Sequence, residues 1–217
     1  MQTVGGYVDV SLETVLALRP DLVVGARGPS GPDLVDKLNQ HGIATYFPPT
    51  ETVDEIYAMI GGLSDRLDCV FQGSRLVQEL KANLLTISTA VAHELKPRAL
   101  LVFGLSPIVV AGPGSFPNEM LQLAGATNAI ETGPRYPSLG IEEVIAAKPD
   151  IIIDAAIAEG HGKLRVQKEA SGWKQVPAVQ AERVFALQDD AALRPGPRLA
   201  SGVKTLAKLI HKGVQIP

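Results

Sequence analysis

Residues 7 to 26 read YVDVSLETVLALRPDLVVGA, and residues 136 to 155 read YPSLGIEEVIAAKPDIIIDA. Shifted by 129 positions, the two stretches align without a gap. Tyr7, Glu13, Val15, Ala17, Pro20, Asp21 and Ala26 recur as Tyr136, Glu142, Val144, Ala146, Pro149, Asp150 and Ala155, and Arg19 is matched by Lys148. Part of this likeness belongs to any helix followed by a strand. Proline stops the helix, and a strand buried on both faces must be apolar throughout. Neither element needs an aromatic residue six positions before a glutamate, yet both copies have one. The repeat therefore predicts two equivalent lobes facing each other, with a cleft between them where a ligand can sit. Its period is too long for a solenoid.

The alternation of helix and strand extends outward from these copies, which predicts an α/β fold with mainly parallel strands. In the first lobe the pattern places helices over Leu12–Leu18, Pro32–Gln40 and Thr52–Leu63, with strands over Leu22–Val24 and Ala44–Phe47. From Val70 to Leu95 there is no proline, and Leu76, Leu80, Leu84, Ile87 and Val91 recur at helical spacing. At ~1.5 Å per residue, one helix there is roughly 40 Å long, and Pro97 ends it. The second lobe continues with strands over 99–103, 108–111, 151–153 and 184–187, and helices over 118–123, 141–147 and 199–211. The expected organisation is a first lobe over 1–69, an interlobe helix over 70–96 and a second lobe over 97–217, each lobe holding a sheet flanked by helices. A single stiff connector without paired hinge strands holds the lobes at a nearly fixed angle.

Composition excludes several classes. Twenty Lys and Arg against 23 Asp and Glu leave a net charge of −3, without the basic excess of nucleic-acid-binding domains. No apolar run approaches the ~20 residues of a membrane helix. One cysteine, Cys69, rules out an internal disulfide and multi-cysteine zinc sites. His41, His93, His161 and His211 form no i, i+4 pair and have no carboxylate-rich cluster beside them, so no metal cage is expected. There is no G-x-S-x-G and no dinucleotide fingerprint after the first strand. Gly112 to Pro117, GPGSFP, opens a helix but lacks the GK[ST] ending of a P-loop, and reads as a loop at the cleft edge. The chain is expected to be no enzyme and to need no cofactor.

Three stretches carry a resemblance: VGGYVDVSLETVLALRPDLVVGARG (4–28), AGPGSFPNEMLQLAGATNAI (111–130) and PRYPSLGIEEVIAAKPDIII (134–153). Together with the long helix, they resemble the periplasmic binding proteins whose lobes are joined by one rigid helix. That group captures cobalamin, haem, ferric siderophores or metal ions for ABC importers. The likeness is greatest to the cobalamin-binding branch. It implies cobalamin (vitamin B12) or a related corrinoid as ligand, with haem or a ferric siderophore as the alternative. It also implies an ABC permease dimer with its ATPase subunits as partner. The implied location is periplasmic, or extracellular with a lipid anchor, and no leader is visible in this chain. Nitrogenase-related α/β enzyme subunits have similar lobes, but they place cysteines at a metal cluster.

In the family an aromatic residue six positions before a glutamate lines the cleft in each lobe, which the resemblance carries to Tyr7 and Tyr136. A tyrosine offers a flat apolar face with a polar tip, suited to a corrin or porphyrin edge. Tyr7 has a second option, ligating haem iron through its phenolate. Packing over the adjacent turns is the structural alternative for both. The following glutamates, Glu13 and Glu142, match surface acids that engage arginines on the two permease subunits. A first-turn carboxylate also stabilises its own helix dipole by ~0.3–1 kcal/mol. Arg27 and Arg135 flank the expected cleft and can meet ligand carboxylates or amides, and Asp190 is expected to cap the turn before the last helix or lie at the cleft mouth. The chain departs from the family pattern in three places. The family's further strand and helix before VGGY are absent here, so the first lobe is expected to expose sheet edge around 22–24 and 44–47. Ala26 stands where the cobalamin branch can have tryptophan, and Ala191 and Ala192 lie near another position that is often aromatic.

Overall fold

The computed structural model describes residues 3–6, 9–27, 31–155, 166 and 172–216. Its first repeat copy forms helix α1 (Leu12–Ala17), capped by the Ser11 hydroxyl on the Thr14 N–H, and strand β1 (Leu22–Val24). Helix α2 (Gly31–Gln40) leads to β2 (Ala44–Tyr46), and β1 and β2 pair in parallel with Leu22 opposite Ala44. Helix α3 (Val53–Arg66) opens on a capping box, in which the Glu55 N–H donates to Thr52 Oγ1 and the Thr52 N–H to a Glu55 carboxylate oxygen. This satisfies two of the amides a helix start leaves unpaired.

A three-residue turn then reverses the chain into α4 (Val70–Ala90). The long helix is thus half of a helical hairpin. Gly73 makes the close approach possible, since a Cβ there would lie 2.4 Å from the Ser64 side chain. Leu80, Leu84, Ile87 and Val91 are buried, so the apolar stripe read from the sequence is the packed one. The helix stops at Ala90 instead of Leu95. Thr86 and Ser88 return their hydroxyls to the carbonyls of Ala82 and Leu85, back-bonding that weakens a helix end. Beyond it, Leu95 is 90% exposed.

The second lobe is built on β3 (Arg98–Leu105). One edge of β3 pairs in parallel with β7 (Ile151–Asp154), which pairs in parallel with β8 (Val184–Ala186). The other edge pairs in parallel with β5 (Thr127–Asn128) at its start and antiparallel with β4 (Ile108–Val110) further on, and β4 continues antiparallel to β6 (Ser138–Leu139). The sheet is mainly parallel with an antiparallel wing. β4 matches the strand expected over 108–111, while β5 and β6 were not expected from the sequence, because a two-residue strand has no period to read.

Side chains alternate across β3. Ala99 and Leu101 face a core shared with α4, α5 (Phe116–Leu123) and α8 (Leu199–Ile210). Leu100 and Val102 face a second core with Val144 of α6 (Ile141–Ala147) and Val179 of α7 (Pro177–Gln180). Trp173 is 4% exposed within the second core, against the expectation from its place after Ser171-Gly172 that it packs on the outside of this lobe. The repeat holds at the level of the backbone: Arg19 and Lys148, equivalent in the alignment, both adopt φ of 46°, and Val15 and Val144 are both buried. A left-handed residue stops each helix before its Pro-Asp turn.

Candidate functional site

In open α/β sheets, ligands sit beyond the carboxyl ends of the strands. In the first lobe those ends are Gly25–Arg27 and Phe47–Pro49. The Phe47 ring lies so close over Gly25 that a Cβ there would be 2.4 Å from it. Arg27 Nε donates to the Phe47 carbonyl at 2.9 Å, which fixes an exposed guanidinium beside the aromatic ring. Arg27, Tyr46, Phe47, Pro48, Pro49 and Met59 line part of a hollow of about 360 Å³ at this end of the lobe. Its lining is mostly apolar and includes the charged side chains of Arg27 and Glu55.

In the second lobe, a register shift between Val102 and Gly104 marks a β-bulge at Phe103, a device that re-aims a side chain. The Phe103 ring centre lies 6.0 Å from that of Tyr136, with the rings tilted by 59°. Tyr136 is 45% exposed. The GPGSFP loop lies against this pair: the Gly112 N–H donates to the Arg135 carbonyl at 2.7 Å, and a Gly112 Cβ would be 2.1 Å from the Pro134 carbonyl. Only glycine permits that approach. Asn128 anchors the loop from below, donating to the Ala111 carbonyl and to Asn118 Oδ1 while accepting from the Ile130 N–H.

Two carboxylates absent from the sequence candidates tie the start of α3 to the start of α5. Glu51 Oε2 accepts from the Tyr136 hydroxyl at 3.2 Å and from the Phe116 N–H at 3.3 Å. Glu119 Oε2 accepts from the Val53 N–H at 2.7 Å. Burial raises the Glu119 carboxyl above its ordinary range, with Asp54 and Glu55 adding repulsion and the Val53 N–H opposing.

The remaining candidates fall as follows. Tyr7 and His161 lie outside the described residues. Arg135 is exposed beside the GPGSFP loop. The cap expected of Asp190 belongs to Asp189, whose Oδ1 accepts from the Ala191 N–H at 2.6 Å. Asp190 is instead held by Arg198, at 2.8 Å, and by Arg194. The Arg198 hydrogen bond leads in pulling its carboxyl below the usual range. Glu13 and Glu142 are both exposed in the first turns of α1 and α6. The α6 start is closed by Glu143, which accepts from the Gly140 N–H at 2.7 Å. Among the described residues, no group of three His, Cys, Asp or Glu side chains is placed to hold a metal ion, and no helix is long and apolar enough to cross a membrane.

Two parallel-stranded units with apolar and charged side chains at their strand ends, tied together by a helical hairpin, define a solute-binding protein. The chain belongs to the periplasmic binding protein family, whose model matches residues 1–191. It is similar to the vitamin B12-binding protein of Vibrio cholerae serotype O1, with 30% identity over 98% of this chain and 77% of that one. It is 28% identical to an uncharacterised ABC transporter substrate-binding lipoprotein of Bacillus subtilis, YvrC, over 95% of this chain and 67% of that one. Among solved structures, the periplasmic heme-binding protein BhuT in complex with two hemes superposes with a TM-score of 0.80 at 29% identity, covering 96% of this chain and 82% of that one. The family and these relatives are binding proteins, not enzymes.

Proposed function

We propose that this chain captures cobalamin or a related corrinoid between its lobes and delivers it to the permease dimer of an ABC importer, which works with its ATPase subunits. The carrying observation is the 30% identity, along nearly the whole chain, to a protein named for binding vitamin B12. The side chains at the strand ends support it. Phe103 and Tyr136 offer an apolar face in the second lobe, and Phe47 offers one in the first. Arg27, Arg135 and Asp190 supply charged and hydrogen-bonding groups for amides at the rim of a corrin, and Tyr7 is the counterpart of Tyr136. Glu13 and Glu142 are the docking acids, each exposed on an equivalent helix and each suited to a bidentate arginine on one permease subunit. The family and the lipoprotein relative support a periplasmic location, or an extracellular one with a lipid anchor.

Haem is the second reading, favoured by the likeness to BhuT and by Tyr7 as a potential phenolate ligand to iron. Calorimetric titration with cyanocobalamin, haemin and a ferric siderophore separates the readings. Cyanocobalamin is expected to bind most tightly. Haemin binding with a phenolate-type visible spectrum, and no heat from cyanocobalamin, sinks the corrinoid assignment.

A further inference from the structure

A carboxylate accepts hydrogen bonds and cannot donate one, so a hydroxyl paired with it must supply the proton. Glu51 Oε2 lies 3.2 Å from the Tyr136 hydroxyl, which fixes the phenol proton on the side of Glu51. Towards any further partner the Tyr136 oxygen then offers lone pairs alone. The ring itself is exposed and packed against Phe103. Glu51 is held in place from both ends. Its own N–H donates to Glu55 at 2.7 Å, and its Oε2 also accepts from the N–H of Phe116, a residue 1% exposed. The segment before Tyr136 is pinned as well, through the Gly112 N–H on the Arg135 carbonyl.

We propose that Glu51 is a positioning residue that commits the Tyr136 hydroxyl to accepting, and so selects a solute presenting an N–H donor, a primary amide, over one presenting a carboxylate. The inference deepens the corrinoid reading and rests on it, because a corrin rim carries amide side chains whereas a haem edge carries propionates. An amide N–H aimed at the Tyr136 oxygen completes a hydrogen bond. A carboxylate in the same place sets lone pairs against lone pairs, with the Glu51 charge behind them. Rejecting the wrong group in this way yields specificity without adding to the affinity for the right one. Arg27 and Arg135, both exposed, offer a carboxylate better partners at other points of the strand ends. The selection therefore acts at one position and is read as a ratio of affinities. Glu51 is partly exposed, so water screens its charge, and a factor of about ten is the scale expected.

The test compares solutes of one shape that differ only in this group: cyanocobalamin and its b-, d- and e-monocarboxylates, each with a single propionamide hydrolysed to the acid. Calorimetry on the parent chain is expected to show one of these acids bound about tenfold more weakly than cyanocobalamin. Glutamine at 51 can accept or donate and carries no charge, so it no longer dictates where the phenol proton lies. In Glu51→Gln the disfavoured acid should come within about threefold of cyanocobalamin. Tyr136→Phe deletes the accepting oxygen and should narrow the gap by weakening cyanocobalamin. If Glu51→Gln fails to fold by circular dichroism, Tyr136→Phe alone is read the same way. A parent that binds every acid as tightly as cyanocobalamin overturns the proposal, and so does a full gap that survives in either folded variant. If cyanocobalamin gives no heat with the parent, the corrinoid reading fails. The ratio between haemin and its diamide, in the parent and in Glu51→Gln, then decides the role of Glu51 by itself.

Discussion

Replacing Glu119 separates the acceptor oxygen from its charge. Glu119→Ala leaves the Val53 N–H, at the start of α3, without its 2.7 Å partner. A buried donor left unsatisfied costs about 1–3 kcal/mol, and Glu119 is half-buried, so the lower half of that range applies. Loss of the charge itself adds no cost, because burial, Asp54 and Glu55 disfavour it, so the total stays near ~1–2 kcal/mol. Glu119→Gln keeps an acceptor and removes a charge that burial, Asp54 and Glu55 all disfavour. A carboxyl whose folded pKa is raised contributes stability that is complete below its unfolded value, ~4.3, and fades as pH rises through the folded one. Glutamine at 119 is therefore expected to match the parent within about 0.5 kcal/mol near pH 4 and to be the more stable of the two at pH 7. Urea unfolding followed by Trp173, the one tryptophan and a buried one, reads these differences as midpoint shifts at constant slope. With a slope of ~2–3 kcal/mol/M, alanine should lower the midpoint by roughly 0.3–1 M. A glutamine variant as unstable as the alanine variant at pH 7 would refute the reasoning, since charge would then be what secures α3.

Charge reversal at Glu13 or Glu142 to Arg should abolish transport by the reconstituted importer while leaving cyanocobalamin affinity within twofold or so, as both acids stand exposed on helices α1 and α6 and rim charges act mainly on docking. A tenfold loss of ligand affinity in either variant would remove it from the docking surface. Gly73→Leu should destabilise the chain by ~1–3 kcal/mol in thermal or urea unfolding, because even a Cβ there meets Ser64 at 2.4 Å; a neutral result would show that the hairpin can separate. In hydrogen exchange, the amides of β1 and β2 should exchange well before those of β3 and β7. The first pair has partly exposed three-residue strands, and β7 is buried throughout; such differences in local opening follow burial. Equal protection would contradict this.

Much of the fold could be read from the sequence because its signals are local. Pro-Asp after a short amphipathic helix, and three apolar residues after that, specify helix, reversal and buried strand within about twenty positions. The structure repeats that unit down to the left-handed φ of Arg19 and Lys148. The hairpin partner of α4 was hidden because periodicity tells which face of a helix is buried, not against what. Glu51 and Glu119 were hidden for a related reason. In sequence each reads as an ordinary acid at a helix start, and the amide it accepts from lies some 65 residues away.

The three alanines at or near positions that are aromatic in the cobalamin branch do not have one meaning. Ala191 and Ala192 are buried, 1% and 0% exposed, and they press on Gly202 of α8, where a Cβ would lie 2.6 Å from their backbone. Small residues at that contact bring the turn carrying Asp189 and Asp190 down onto the last helix, so their size answers to packing and not to the ligand. Ala26 is different, being exposed at the end of β1. Yet the space beside it is not empty of aromatic surface, because Phe47, from the end of β2, lies over Gly25. An aromatic face at one sheet end can come from either neighbouring strand, and here it comes from Phe47 over Gly25. Since one fold serves many ligands through the side chains at such positions, the proposed solute binding makes Phe47 and Arg27 in the first lobe, and Phe103 and Tyr136 in the second, the positions where substitution is expected to change the choice of solute.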